Sequence, residues 1–239
     1  MSTLERLPDE DFSRILCVAA HPDDLEYGTS AAVAAWVARG VEVAYLLLTH
    51  GEAGMDRPPA EIGPLRDTEQ RAACDAVGVS SLTILDFPDG VLSYGLDLRR
   101  AIAAEIRRFR PDVVVTGSWE EEVPWGLNQA DHRAAGLATL DAIRDAANPW
   151  VFPVSPSVGA PDTWQARWLL VSGASRPTHA VDVTGDPLAR GIASLASHVH
   201  YLAHVTGHAS PEDTLRAATT EPGVALGVQS AVAFRAHRL

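Results

Sequence analysis

Apolar residues along the chain fall into two alternating patterns. A short apolar run occurs at Ile15 to Ala20 (ILCVAA), and mostly apolar strand-length segments follow at Val41 to Thr49 (VEVAYLLLT), Leu82 to Asp86 (LTILD) and Val113 to Thr116. Runs of this length suit strands buried on both faces, as parallel strands are. Helical spacing lies between them. Gly28 to Arg39 carries Val33, Trp36 and Val37 and is stopped by Gly40. Leu65 to Val77 is closed by Gly78, and Leu96 to Phe109 places Ile102 and Ile106 one turn apart. A further helix is expected over Asp131 to Ala147, then a Pro/Ser/Gly-rich loop over Asn148 to Thr163. Late strands are expected at Trp168 to Val171 and Ala180 to Val183, and a helix over Pro187 to Val205. The tail from Thr206 gives no firm pattern, and Val232 to Phe234 reads as an edge strand or a docked terminus.

Strands separated by helices of about 10–15 residues form a parallel sheet with right-handed crossovers. The fold class is therefore α/β. Ligands of such sheets bind beyond the carboxyl ends of the strands, so the segments after the first four strands are the place to look for chemistry. Neither an internal repeat nor a long linker divides the chain. We expect one domain over 1–239, with a core over 13–145 and a C-terminal part, 146–239, that completes the sheet and the site.

The first strand runs directly into His21-Pro22-Asp23-Asp24. Pro22 disfavours helix at His21, and imidazole nitrogen and carboxylate oxygen are both zinc ligands. Adjacent aspartates in a turn point different ways. One can bind a metal while the other faces a metal-activated water as general base. The plain alternative is an ordinary turn in which Asp24 caps the following helix. A catalytic zinc takes three protein ligands. His132, just after the fourth strand in the first turn of its helix, can supply the third; the plain reading there is a surface or core-edge histidine.

The formal net charge of −12 argues against nucleic acid and anionic membranes as partners. Glu120-Glu121-Glu122 reads as a solvated loop or as acidic surroundings for a metal. With two cysteines, Cys17 and Cys74, and a polar start at Met1 to Phe12, a cytoplasmic location is expected. No stretch is apolar for the ~18 residues of a membrane span. The sequence leaves homo-oligomerisation open.

Six tryptophans are present. Trp119 and Trp125 flank the acidic loop before His132, where rings can stack on a sugar, form a lid or pack into the core. No Gly-x-Gly-x-x-Gly follows the first strand, which counts against a dinucleotide-binding site.

These motifs resemble the LmbE / PIG-L family of zinc-dependent deacetylases. The resemblance rests on Ala20 to Asp24 (AHPDD), Gly28, Gly51 to Gly54 (GEAG), Arg66 with Glu69, Asp86 to Gly90 (DFPDG), Arg110 to Val114 and Asp131-His132. It spans roughly residues 15 to 140 in the family's order. It implies a Rossmann-like, three-layer α/β/α fold with a mostly parallel sheet, one zinc per chain on His21, Asp24 and His132, and Asp23 as general base. Iron is an alternative with the same ligands. Asp131 is carried over with the catalytic group, and Arg66 and Asp89 are expected to face the substrate. The implied substrate is a small N-acylated molecule containing an amino sugar, losing its N-acyl group by hydrolysis. Two positions depart from the pattern. Leu25 stands where an acidic residue is usual, with Glu26 next, and Gln129-Ala130 replaces the His-Pro of His-Pro-Asp-His. Gln129 can donate a hydrogen bond but cannot transfer a proton. His50, at the end of the second strand, and His198, in a segment similar to the family's late Ala-x-His, are the candidates to compensate and are expected on the substrate side. His200 and His204 share a helix face that reads as solvated, and His179, His208 and His237 have no evident partner. An amidase for a larger thiol conjugate, and a zinc-bearing protein without turnover, are the rival readings.

Overall fold

A computed structural model describes residues 4–153, 163–205, 207 and 209–239. Most of the 148–163 loop, the first three residues and His208 lie outside them. The chain order is β1 (Glu5–Arg6), β2 (Arg14–Ala19), α1 (Asp24–Gly28), α2 (Ser30–Ala38), β3 (Glu42–Leu47), α3 (Pro59–Val77), β4 (Ser81–Ile84) and α4 (Leu96–Phe109). It continues with β5 (Val113–Gly117), the small hairpin β6 (Glu122–Val123) and β7 (Gly126–Leu127), α5 (Ala130–Ala147), β8 (Trp168–Ser172) and β9 (His179–Asp182). The last elements are α6 (Asp186–Ala196), α7 (Val199–His204), α8 (Pro211–Leu226) and β10 (Ala231–Arg238).

One eight-stranded sheet has the order β1-β9-β10-β8-β5-β2-β3-β4. All neighbours are parallel except β10, which runs antiparallel to both β8 and β9. Alternate residues of each strand face opposite layers. Ile15, Cys17, Val43, Tyr45 and Leu47 pack with α2, α3, α6 and α8. Leu16, Val18, Ala44 and Leu46 pack with α4 and α5, whose inner stripe is Ala134, Ala135, Ala138, Ala142 and Ala146. This is a three-layer α/β/α architecture with a mostly parallel sheet. Helix α2 is buried from Ser30 to Trp36 because α6 covers the side turned away from the sheet. Gly191 allows that approach, since a Cβ there would stand 2.9 Å from the Ala31 Cβ.

The structure departs from the sequence pattern mainly at helix starts and in the C-terminal third. Pro64 reads as a breaker, yet α3 begins at Pro59. Pro64 is the sixth residue of α3 and leaves the Ala60 carbonyl without its helical donor, so packing of the α3 face and not local hydrogen bonding carries the helix through it. The expected helix over Pro187 to Val205 is two, because the chain turns His198 inward between α6 and α7. Val232 to Phe234 is not an edge strand. It belongs to β10, which fills the gap between β8 and β9. Helix α8 was not marked by apolar spacing; its Ser210 cap accepts a hydrogen bond from the Asp213 N–H at 3.1 Å.

The chain crosses the sheet in opposite directions from β2: β3 and β4 lie on one side, β5 and β8 on the other. The carboxyl ends of β2 and β5 therefore meet at the topological switch point, where open α/β sheets bind ligands.

Candidate metal centre

His21 follows β2 and is buried at 7% exposure. Its two ring nitrogens face different partners. Nδ1 lies 3.6 Å from Asp24 Oδ2, while Nε2 lies 2.9 Å from Asp89 Oδ1 and 3.4 Å from Asp131 Oδ2. Ionised carboxylates only accept, so both ring nitrogens face acceptors; a cation between His21 and Asp24 would take the place of the Nδ1 proton and leave Nε2–H on Asp89 and Asp131. The other oxygen of Asp24, Oδ1, is 3.0 Å from Nε2 of His132 in the first turn of α5. The His21 and His132 rings stand 5.2 Å apart.

One atom each from His21, Asp24 and His132 lies within 4.8 Å of the others, and a second such set is His21, Asp89 and Asp131. Ligands each about 2.0–2.2 Å from a tetrahedral zinc stand about 3.4 Å apart. The 3.6 Å from His21 to Asp24 Oδ2 and the 3.0 Å from His132 to Asp24 Oδ1 lie on either side of that spacing, each to a different oxygen of Asp24. The electrostatics point the same way. Burial works against a charged His21, but Asp24, Asp131 and Asp89 override it and push its pKa up to about 12. His132 is likewise raised by Asp24 against the effect of burial. Asp24 is half-buried yet held well below the usual carboxylate range by His132 and His21. A carboxylate-rich pocket that draws protons onto both imidazoles is short of positive charge, and a divalent cation supplies it.

Asp23 sits between His21 and Asp24 in the left-handed region, φ 91°. Non-glycine residues rarely adopt it and lose about 1–3 kcal/mol in doing so. Its carboxylate is buried, and Oδ2 accepts from Arg66 Nη2 at 2.8 Å. Burial pushes the Asp23 pKa up to about 6, against the pull of Arg66. Gly51, at φ +63°, leaves room for that guanidinium; a Cβ there would stand 2.7 Å from Arg66 Nη1.

The other expected site residues are distributed as follows. Asp131 is 1% exposed and accepts from the Gly90 N–H at 2.7 Å and the Leu92 N–H at 3.1 Å, tying the loop after β4 to α5. Asp89 gives one oxygen to His21 and the other to the Ala53 N–H at 2.7 Å. Arg66 is 2% exposed, bonded to Asp23 and to the Pro22 and Gly51 carbonyls, with its guanidinium 4.0 Å from the Tyr201 ring centroid. Arg66 and Asp89 thus spend their polar atoms inside the protein. Gln129 is the exposed N-cap residue of α5, one turn before His132, and its side chain makes no capping bond. His50 bridges Asp67 (2.7 Å) and Asp86 (3.1 Å), so both its nitrogens are occupied. His198 is 0% exposed, with Nε2 3.6 Å from Glu26 Oε2; its burial turns it away from any substrate surface. His204 lies 4.0 Å from Asp56, and His179 is 3.7 Å from Glu5.

Periodicity alone does not single out Gln70 and Glu26, which surround Asp23 from behind. The available signal is polarity on a buried stripe: Arg66 and Gln70 occupy the α3 face that also carries Ile62, Cys74 and Val77.

A family model described as PIG-L, GlcNAc-PI de-N-acetylase, matches residues 16–143, more than half of the chain. The chain belongs to the PIG-L family. Its PIG-L relatives include diacetylchitobiose deacetylase of Thermococcus kodakarensis, 31% identical over 74% of this chain and 66% of that protein. Another is 1D-myo-inositol 2-acetamido-2-deoxy-alpha-D-glucopyranoside deacetylase of Geodermatophilus obscurus, 32% identical over 57% of this chain and 54% of that one. The chain thus spans between half and two thirds of the length of these PIG-L relatives. N,N'-diacetylchitobiose deacetylase from Pyrococcus horikoshii, solved with an inhibitor, shares the fold at a TM-score of 0.86 and 22% identity, over 97% of this chain and 86% of that one.

Proposed function

We propose that this chain is a metal-dependent amide hydrolase that removes an N-acyl group, foremost N-acetyl, from a small amino-sugar compound. The observation that carries the reading is a buried carboxylate, Asp23, fixed beside three metal-binding side chains at the switch point of the sheet. The PIG-L relatives named as deacetylases of acetylated amino sugars support the substrate class.

His21, Asp24 and His132 would hold zinc, or ferrous iron with the same donors, which supplies Lewis acidity for the amide carbonyl and for an attacking water. Asp89 and Asp131 fix the His21 ring through Nε2. Arg66 occupies Oδ2 of Asp23, which leaves Oδ1 to accept the proton of the attacking water. Gln129 donates its amide N–H to the developing oxyanion. As the C–N bond breaks, the leaving nitrogen takes the proton that Asp23 has gained, since Gln129 has none to give. Trp125 is 70% exposed at the β6–β7 hairpin and lies against Gly173 at the end of β8, a flat apolar surface for a sugar ring. Trp119, by contrast, packs into the α4–α5 side of the core. Among the described residues no helix is long and apolar enough to cross a membrane. Two buried free cysteines support a reducing, cytoplasmic setting.

The test is metal content by mass spectrometry together with acid release from N-acetylglucosamine, diacetylchitobiose and N-acyl glucosamines of increasing chain length. We expect about one metal per chain, lost in His132→Ala, and acetate release by the wild type. Preference for long or thiol-bearing acyl groups would move the assignment to a larger-amide amidase. Metal bound without any amide cleavage would leave a binding protein.

A further inference from the structure

The backbone polar groups of Asp23 and one of its carboxylate oxygens are held. Its carbonyl accepts from the Glu26 and Tyr27 N–H groups at 2.9 and 3.2 Å, its carboxylate takes Arg66, and its N–H donates to Gln70 Oε1 at 3.2 Å. Gln70 is wholly buried one turn beyond Arg66 on α3. An amide side chain can present either end, and only the oxygen end can accept the Asp23 N–H. Gln70 Nε2 donates to Glu26 Oε1 at 3.0 Å. Glu26, 1% exposed on α1, offers acceptors only when ionised and so fixes which way the Gln70 amide points. Behind it stand His198 Nε2, 3.6 Å from Glu26 Oε2, and Ser194 Oγ, 3.4 Å from Oε1, both wholly buried at the end of α6. None of these groups has a core-packing reason to be polar, and none reaches the opening.

We infer that Gln70, oriented by Glu26 and His198, is a positioning residue that holds Asp23 in its left-handed conformation and thereby aims the base at the water. The inference rests on Asp23 being the base, as proposed above. The chain of contacts explains why a side chain as polar as Glu26 lies in the core and why the chain breaks between α6 and α7 where His198 turns inward. It also gives His198 a place in the reaction without contact with substrate: it anchors Glu26. Misplacing a reacting group by about 1 Å can cost about 10²-fold in rate, so this network acts on turnover and not on affinity.

The experiment compares Gln70→Met, which keeps length and apolar volume, with Glu26→Gln, which keeps shape but frees the Gln70 amide to turn. Each is measured for kcat, KM, metal content and thermal stability, alone and in an Asp23→Asn background. We expect kcat to fall about 10-fold or more in Gln70→Met and by less in Glu26→Gln, with KM and metal content changing less than about twofold. In the Asp23→Asn background, Gln70→Met should change the residual rate by less than about twofold, because its effect passes through Asp23. A crystal structure of Gln70→Met should show the Asp23 φ angle outside the left-handed region. Unchanged kcat, or an equal loss with and without the Asp23 carboxylate, overturns the inference while leaving the hydrolase standing. Near-normal turnover in Asp23→Asn alone overturns the base assignment and this inference with it. Should Gln70→Met not fold, Glu26→Gln carries the same comparison.

Discussion

Replacing Asp23 with Asn exchanges one oxygen for an amide nitrogen and removes a proton acceptor without removing volume. Because Asp23 is not among the three donors about Asp24, the variant should keep its metal while kcat falls by about 10²–10⁴, the range for losing a general base. Single-turnover kinetics beside metal analysis checks this. Retained metal with retained rate would move the proton transfer elsewhere. His50 makes a different prediction. Its pKa is raised from 6.5; burial opposes the shift, and the hydrogen bonds to Asp67 and Asp86 outweigh it. A raised folded-state value means that the stabilisation is complete below the unfolded value near 6.5 and is lost as pH rises through the folded one. The ring is 27% exposed, so solvent screens the pair and the contribution is at most about 1 kcal/mol. His50→Gln should therefore lower Tm at about pH 5.5 and match the wild type near pH 9. A difference that grows with pH would contradict the pairing seen here.

At the level of elements, the end of α5 depends on one side chain. Arg107, buried on α4, lies 2.7–3.1 Å from the carbonyls of Asp145, Ala146, Asn148, Val151 and Phe152. Asp145 and Ala146 lie in the last turn of α5, where carbonyls lack intrahelical partners, and Asn148, Val151 and Phe152 belong to the segment that follows. Arg107→Met should cost about 2–4 kcal/mol in denaturant unfolding, with metal content unchanged, since it removes five hydrogen bonds from a charged donor at once. Helix α4 has the bounds its apolar spacing gives, Leu96 to Phe109, and β2, β3 and β5 were marked by mostly apolar strand-length segments. Those patterns are local. Helix α8 was not legible, and of β10 only Val232 to Phe234 was, without its length or its place inside the sheet, because these depend on packing against partners far along the chain; Pro222 even lies inside α8. The candidate metal-binding triple is visible in the sequence because His21, Asp24 and His132 come after strand ends. Gln70 is not, because nothing near it in sequence says that Asp23 will stand against it.

Across the molecule, charge is concentrated where it is least tolerated. The chain carries a formal net charge of −12, and Asp23, Asp24, Asp89, Asp131 and Glu26 converge on the β2–β5 end of the sheet. A cation that binds the folded state and not the unfolded one stabilises it by about 4 kcal/mol at a thousandfold excess over Kd. Chelation should therefore lower Tm by several degrees and added zinc should restore it, as calorimetry would show. A Tm that ignores both would argue that the carboxylate cluster is neutralised by protons alone. The position of β10 has a consequence of another kind, in the order of assembly during synthesis. β9 and β1 reach the rest of the sheet only through β10, which is made after both. Until β10 emerges, the Glu5–His179 and Arg6–Ala180 pairings have nothing to dock on, and the outer edge of β8 stays open. On the ribosome, the growing chain therefore carries an unpaired strand edge for the whole time that α6 to α8 are being translated. Edges of that kind recruit other strands, so the nascent chain should depend on chaperone cover most between the synthesis of β8 and that of β10.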